Sequence, residues 1–316
     1  MHDDQHAKPG GPPPACATCD RGDCSAAKVR PGESEADFLD RQVLQSKLCR
    51  IRRKIVVLSG KGGVGKSTVA VNLAAALAAA GWRTGLMDVD IHGPSIPTML
   101  GLEGATVGTN GEEMLPVERD GLKVLSIGFF LRHPDDAVIW RGPMKMGVIK
   151  QFLKEAAWGD LDFLVIDSPP GTGDEPLSVI QLIGGLDGAV IVTTPQRVAA
   201  VDVRKSITFC RHLEVPVLGV VENMSGFVCP KCGEVTPILL AGGGRKIASD
   251  MGVPFLGSIP MDPRVAEAGD AGHAFVFRNP ESPAARILQE IIRPIAALGG
   301  EPPRADGPSN PKEETK

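Results

Sequence analysis

Residues 60–68 read G-K-G-G-V-G-K-S-T (Gly60, Lys61, Gly62, Gly63, Val64, Gly65, Lys66, Ser67, Thr68), and this stretch decides the fold. A loop of the form G-x-x-x-x-G-K-[ST] leaves successive backbone N–H groups free to cradle phosphate oxygens. Its lysine, here Lys66, reaches the β- and γ-phosphates, and its hydroxyl, here Ser67, sits on Mg2+. Gly60, Gly62 and Gly65 let the chain make that turn. The flanks agree: Lys54 to Ser59 (K-I-V-V-L-S) is a short β-branched run, and Ser67 to Ala80 is an alanine-rich helix former. Lys61 is an additional lysine one residue after the first glycine. In such a turn it points away from its own nucleotide. Its use lies with a phosphate brought by a second subunit, so a homodimer is implied.

Outward from the loop, apolar runs recur as buried parallel strands would: Thr84 to Asp88, Leu122 to Ile127, Phe163 to Asp167, Ala189 to Thr193, Val217 to Val221 and Phe255 to Ile259. Helical patterns separate most of them, at Met144 to Ala157, Pro176 to Gly184, Val201 to His212, Gly244 to Met251 and Ala284 to Leu298. The alternation predicts an α/β fold, a doubly wound and mostly parallel sheet flanked by helices, with ligands at the strand C-termini. The last helix carries Ile287, Leu288, Ile291, Ile292 and Ile295 with only Arg286 and Arg293 as cations on its polar side, so docking on the sheet is favoured over lying on a membrane.

At 316 residues and 42% hydrophobic content the chain can bury one large core. The expected organisation is a flexible N-terminal tail with a cysteine cluster over 1–49, one ATPase domain over 50–298, and a disordered C-terminal tail over 299–316. Net charge is -4, and the longest basic cluster is R-I-R-R-K at 50–54, which argues against a nucleic-acid partner. No run of 18 apolar residues occurs, and the N-terminus lacks the layout of a signal peptide. A cytoplasmic protein with no membrane partner is expected.

Two carboxylate-bearing segments fall where a γ-phosphate would sit: M-D-V-D-I-H-G-P-S after the second strand and D-S-P-P-G-T-G-D-E after the Phe163 strand. Asp167 is the candidate for holding Mg2+ through water, Asp90 for positioning the attacking water, and Asp88 for supporting the loop or the metal shell. A single strand-end Asp is usually a cap or turn former, but here three accompany one phosphate loop. Gly171 and Gly173 would let the second loop move with the γ-phosphate.

The seven cysteines include two C-x-x-C pairs, which in a reducing compartment argue for metal rather than structural disulfides. Cys229 and Cys232 lie in F-V-C-P-K-C-G-E, with Pro230 and Gly233 shaping a knuckle. Two thiolates are two ligands short of a tetrahedral zinc or a cubane cluster, and a twofold dimer would supply the others. From spacing alone, a zinc knuckle completed by distant residues and a bridging cluster stand level. A redox dithiol is disfavoured because no thioredoxin-like pattern surrounds it. Cys16, Cys19 and Cys24 form a three-thiolate candidate metal site in the tail, whose fourth ligand could be Cys49, His2, His6 or a partner's residue. Cys49 reads equally well as core, and Cys210 reads as core.

Taken together, the double-lysine loop, D-V-D-I-H-G-P-S, W-R-G-P-M at Trp140, I-D-S-P-P-G-T-G-D-E, V-E-N-M-S at Val221 and C-P-K-C resemble the Mrp/ApbC-type iron-sulfur cluster carrier ATPases, from Arg50 to Leu298. These belong to the deviant-P-loop class that includes the Min and Par ATPases and the nitrogenase iron protein. The resemblance implies ATP and Mg2+ as ligands and Lys61 as the signature lysine acting across the dimer. It implies Lys66 as the phosphate lysine, Asp90 as the switch-one carboxylate and Asp167 as the Walker B carboxylate. It further implies a labile [4Fe-4S] cluster bridged by Cys229 and Cys232, delivered to apo iron-sulfur proteins and received from a cluster-assembly scaffold. Asn223, at a strand end, would recognise adenine, with the segments after Thr194 and at Pro260 completing the base pocket.

The tail resembles that of the Nbp-type branch, whose four cysteines hold a stable cluster. It departs from that pattern in its C-x2-C-x4-C spacing and in lacking the far upstream cysteine. The competing reading is a nucleotide-switched regulator of the Min and Par kind with a structural zinc knuckle.

Overall fold

The computed structural model describes residues 29, 31–91, 93–131, 142–238 and 241–302. In chain order the first half runs α1 (Glu35–Leu48), β1 (Ile51–Ser59), α2 (Lys66–Ala79), β2 (Thr84–Asp88), α3 (Ile96–Met99), β3 (Gly108–Thr109), β4 (Met114–Leu115), β5 (Val117–Arg119) and β6 (Leu122–Ser126). The second half runs α4 (Gly142–Glu155), β7 (Leu161–Asp167), α5 (Asp174–Ile183), β8 (Gly188–Thr193), α6 (Arg197–His212), β9 (Val217–Val228) and β10 (Val235–Thr236). It closes with α7 (Gly243–Met251), β11 (Phe255–Met261), α8 (Pro263–Asp270), α9 (Phe275–Arg278) and α10 (Pro283–Ala296).

Nine strands form one sheet in the order β10-β9-β8-β1-β7-β2-β6-β5, with β11 also paired to β9. Its inner pairings are parallel, and only β5 and β10 run antiparallel to their neighbours. The central strands are buried along nearly their whole length, which explains why they read as continuous apolar runs rather than alternating ones. Register then does what sequence could not: Val57 and Asp88 both pair with Asp167, so the ends of β1, β7 and β2 meet at one place.

Apolar side chains fill both faces of the sheet. On one, α2, α9 and α10 cover Ile55, Val57, Leu86 and Val165; on the other, α1, α4, α5, α6 and α7 cover Val56, Met87, Ile166 and Ile191. The apolar stripe of α10 docks inward as expected, burying Leu288, Ile291, Ile292 and Ile295, each contributing about 1.5–3 kcal/mol. Among the described residues no helix is long and apolar enough to cross a membrane.

The stretch 1–49, expected to be a flexible tail, is folded from Glu35 onward. Ser34 caps α1 by accepting from the Asp37 N–H at 3.1 Å, and Leu44 and Leu48 are buried. Asp40 is gripped by both Lys150 and Lys154 of α4, and this pairing lowers its pKa. Only the cap is local: S-E-A-D at 34–37 is a capping pattern, but the apolar stripe that follows is too thin to mark a helix by itself. At the other end a 3-10 turn, Ala297–Gly299, seats Gly299 against Trp82 and Phe163.

Candidate nucleotide site and cysteine knuckle

The phosphate loop leaves β1 at Ser59 and enters α2 at Lys66, with Gly63 at φ +75° and Gly65 at φ +80°. Gly60 has a second constraint, since a Cβ there would lie 2.5–2.7 Å from atoms of Asp202 in α6, two of them backbone. A Cβ on Gly65 would meet the Asn223 amide nitrogen at 2.2 Å. That nitrogen donates to the Val64 carbonyl at 2.9 Å. Asn223 was expected at a strand end; it lies instead within β9, which continues to Val228.

Lys66 is buried, and its ammonium meets Asp167 at 2.6 Å and Asp90 at 3.3 Å. The Ser67 hydroxyl donates to the other Asp167 oxygen at 2.5 Å. Asp88 accepts from the Ser126 hydroxyl at 2.8 Å and from the Asp90 N–H at 3.1 Å. Burial works against charge on Lys66, yet Asp167, Asp90 and Asp88 together hold its pKa above the ordinary value. Burial and the neighbouring Asp167 push Asp88 up to about 8. Burial also raises Asp167, against the pull of Lys66. Because Lys66 sits directly on Asp167, Asp88 is the carboxyl that keeps the proton.

The folded pKa of Asp88 thus lies above its ordinary value of 3.8. Its contribution to stability is fully present below that value and is lost as pH rises toward about 8. In metal-free, nucleotide-free protein, Asp88→Asn is expected to flatten the pH dependence of thermal stability between pH 4 and 8 relative to wild type, by on the order of a few kcal/mol. Parallel pH–melting curves for the two proteins would refute it.

Four buried side-chain polar atoms lack a hydrogen-bond partner among the described residues, and three of them, Asp90 Oδ1, Ser168 Oγ and Thr194 Oγ1, follow the C-terminal ends of β2, β7 and β8. Unpaired buried polar atoms are uncommon and mark a place built for a polar ligand. Ser67 and Asp167, joined by that 2.5 Å hydrogen bond, present oxygen donors of the kind Mg2+ takes, so these two residues fit that ion. The loop after β7 is tied to β1 through Gly171 N–H to the Ser59 carbonyl at 2.8 Å. Gly171 has φ +94°, whereas Gly173 is extended and caps α5. Lys61 is half-buried with no ion pair among the described residues. Beside the loop opens a largely apolar cleft of about 620 Å³, reached by Gly65, Thr68, Asn223, Met224, Phe227 and Pro260 among others. Pro260 lines this cleft, while the segment after Thr194 does not.

Cys229 and Cys232 lie between β9 and β10, on the surface of a hairpin whose strands pair Val228 with Val235. The Cys229 N–H donates to the Glu234 carbonyl at 2.9 Å, and the Gly233 N–H to the Cys229 carbonyl at 2.8 Å. Gly233 takes φ +75° to close the turn. Hydrogen bonds from the backbone of Cys232 and Lys231, and from the Cys232 thiol, hold the Cys229 pKa below the usual thiol value. Cys229 is half-buried and Cys232 exposed. Among the described residues no third Cys, His, Asp or Glu joins them in a metal-holding group.

Cys210 is core as expected, its thiol pushed up to about 12 by burial. Cys49 caps the C-terminus of α1 and is half-buried. Cys16, Cys19, Cys24, His2, His6 and Trp140 lie outside the described residues. Sequence reasoning missed Glu222. This fully buried carboxylate accepts from Gly242 N–H at 3.1 Å, Gly244 N–H at 2.6 Å and the Ser225 hydroxyl at 2.6 Å, pinning β9 to the start of α7. An acid directly after the apolar run Val217 to Val221 was the available signal.

The chain is similar to the nucleotide-binding protein of Archaeoglobus fulgidus, solved in complex with ADP and with cobalt found in it. The two are 41% identical over 75% of this chain and 93% of that one, with a TM-score of 0.67. It is also similar to the cell-division ATPase MinD of Pyrococcus furiosus, at 25% identity over 78% and 100%, TM-score 0.59. The septum site-determining protein MinD of Pyrococcus horikoshii, solved with Mg-ADP, shares the fold at 24% identity over 80% and 99%, TM-score 0.60. Residues 50–296, which carry the phosphate loop, the carboxylate-ended strands and the cysteine knuckle, match the ParA family model described as NUBPL iron-transfer P-loop NTPase, and the chain belongs to that family.

Proposed function

We propose that this protein binds and hydrolyses ATP as a homodimer and carries a labile [4Fe-4S] cluster on Cys229 and Cys232, accepting it from an assembly scaffold and passing it to apo iron-sulfur proteins. The observation that carries the reading is a two-thiolate knuckle, short of ligands within the described chain, on the same sheet as a double-lysine phosphate loop. Two copies about a twofold axis supply four thiolates, the number a cubane cluster takes. The lowered Cys229 pKa favours the thiolate that ligation requires. Thiols this exposed need a reducing compartment such as the cytoplasm.

In this reading Lys66 neutralises the transferred phosphoryl group, and it must part from Asp167 to do so. Ser67 and Asp167 would hold Mg2+, which when bound supplies charge stabilisation at the phosphate oxygens. Asp90 orients the attacking water through its unpartnered oxygen. Lys61, without an ion pair of its own, serves the partner subunit's phosphates. The loop glycines Gly60, Gly62, Gly63 and Gly65, with Val64 and Thr68, cradle the phosphates, and Asn223 with Pro260 receives the base. ADP in the Archaeoglobus protein supports the nucleotide half of this account. Cys16, Cys19 and Cys24 are the candidates for a second metal site in the tail.

Anaerobic reconstitution with iron and sulfide tests it, read by iron content, absorption and mass in solution. The expected product is a dimer with a broad band near ~400 nm and a bridging cluster of about four irons per two chains. One zinc per chain, no such band and a monomer would leave an NTPase with a structural knuckle.

A further inference from the structure

Strand β9 touches both functional places. Asn223 holds the phosphate-loop carbonyl of Val64, and six residues later the strand gives way to Cys229. Between them it is irregular. Met224 has φ +59° and Gly226 φ +96°. The pairing with β11 slips between Ile259, opposite Asn223, and Met261, opposite Phe227. A long side chain at φ +59° is disfavoured and persists only where the surroundings impose it.

Those surroundings link the two sites. Asn223, Met224 and Phe227, which span the slip, all line the cleft beside the phosphate loop. On the other side, a Cβ at Gly226 would lie 3.1 Å from Val235 of β10, the hairpin strand that closes the knuckle. Upstream the strand cannot yield: Glu222 is buried and fixed to the start of α7 by the Gly242 and Gly244 N–H groups, and within the joint it accepts only from the Ser225 hydroxyl. Downstream lies the exposed Cys232 turn. A ligand that takes the Asn223 amide from Val64 and presses on Met224 therefore displaces the cysteine end, because the other end is anchored.

We propose that residues 223–227 are a joint that converts occupancy of the cleft by a purine nucleotide into a movement of the Cys229–Cys232 knuckle. Met224 is its positioning residue. The inference rests on the nucleotide reading above, and one experiment separates the two. In metal-free protein, alkylation rates of Cys229 and Cys232 are followed by peptide mass spectrometry with and without ADP, while calorimetry reports ADP binding.

At saturating ADP the wild-type rates are expected to change about fivefold or more. In Met224→Gly, saturated according to its own titration, the free backbone should remove the response. Met224→Asn, which tolerates the left-handed region, should keep it. Unchanged rates in wild-type protein that calorimetry shows to be saturated overturn the joint and leave the nucleotide site standing, as does a Met224→Gly response equal to wild type. Absence of ADP binding overturns the nucleotide reading and the joint with it. If Met224→Gly does not fold, the wild-type rates and Met224→Asn still decide: a lost response in Met224→Asn also overturns the joint.

Discussion

Lys66→Ala is expected to lower nucleotide hydrolysis by at least about a hundredfold, the scale on which removal of a single positioned charge-stabilising donor acts, and to stop cluster transfer with it. In the free protein Lys66 is the ammonium against which Asp167 and Asp90 are packed. Its loss leaves buried carboxylates without their cation, and breaking such a pair costs about 3–5 kcal/mol. Melting temperature should therefore fall as well, more at pH 8 than at pH 5, where the buried Asp167, already raised by burial, can take up a proton instead. Steady-state phosphate release and a transfer assay to an apo acceptor check the first part. Hydrolysis within a fewfold of wild type would remove Lys66 from the phosphate-binding role, and normal transfer without hydrolysis would remove ATP from the transfer step.

The Cys229→Ala/Cys232→Ala protein should lose the bridging cluster and its delivery while folding normally. The thiols sit on a surface hairpin, Cys232 exposed and Cys229 half-buried, so the change in stability should stay within about 0.5 kcal/mol, as for other surface positions. Iron per dimer after reconstitution is expected to fall by about four relative to wild type. Any iron that remains reports on Cys16, Cys19 and Cys24. Retention of the full wild-type iron content would move the labile site away from the knuckle.

Both predictions rest on residues that a reader of the chain could name. Lys66, Asp167 and the C-P-K-C turn were legible because their signals are short and local. The strand-loop-helix order around the phosphate loop, the alternation that gives a parallel sheet, and the inward face of α10 were legible for the same reason. Element boundaries drifted by a few residues, and α1 was overlooked because its apolar stripe is thin and its anchor, Asp40 between Lys150 and Lys154, is a contact across more than a hundred residues.

The sequence by itself therefore determined the fold class, the phosphate loop and the identity of the candidate ligands, since hydrophobic period, glycine placement and motif spacing are properties of neighbouring residues. Only the tertiary structure decided how those parts act on one another. Strand register brought Asp88 beside Asp167 and gave it a pKa of about 8. β9 ran on past Asn223 to the cysteines, with a left-handed Met224 on the way. Burial, register and backbone strain are sums over groups far apart in the chain, and no local pattern encodes such a sum.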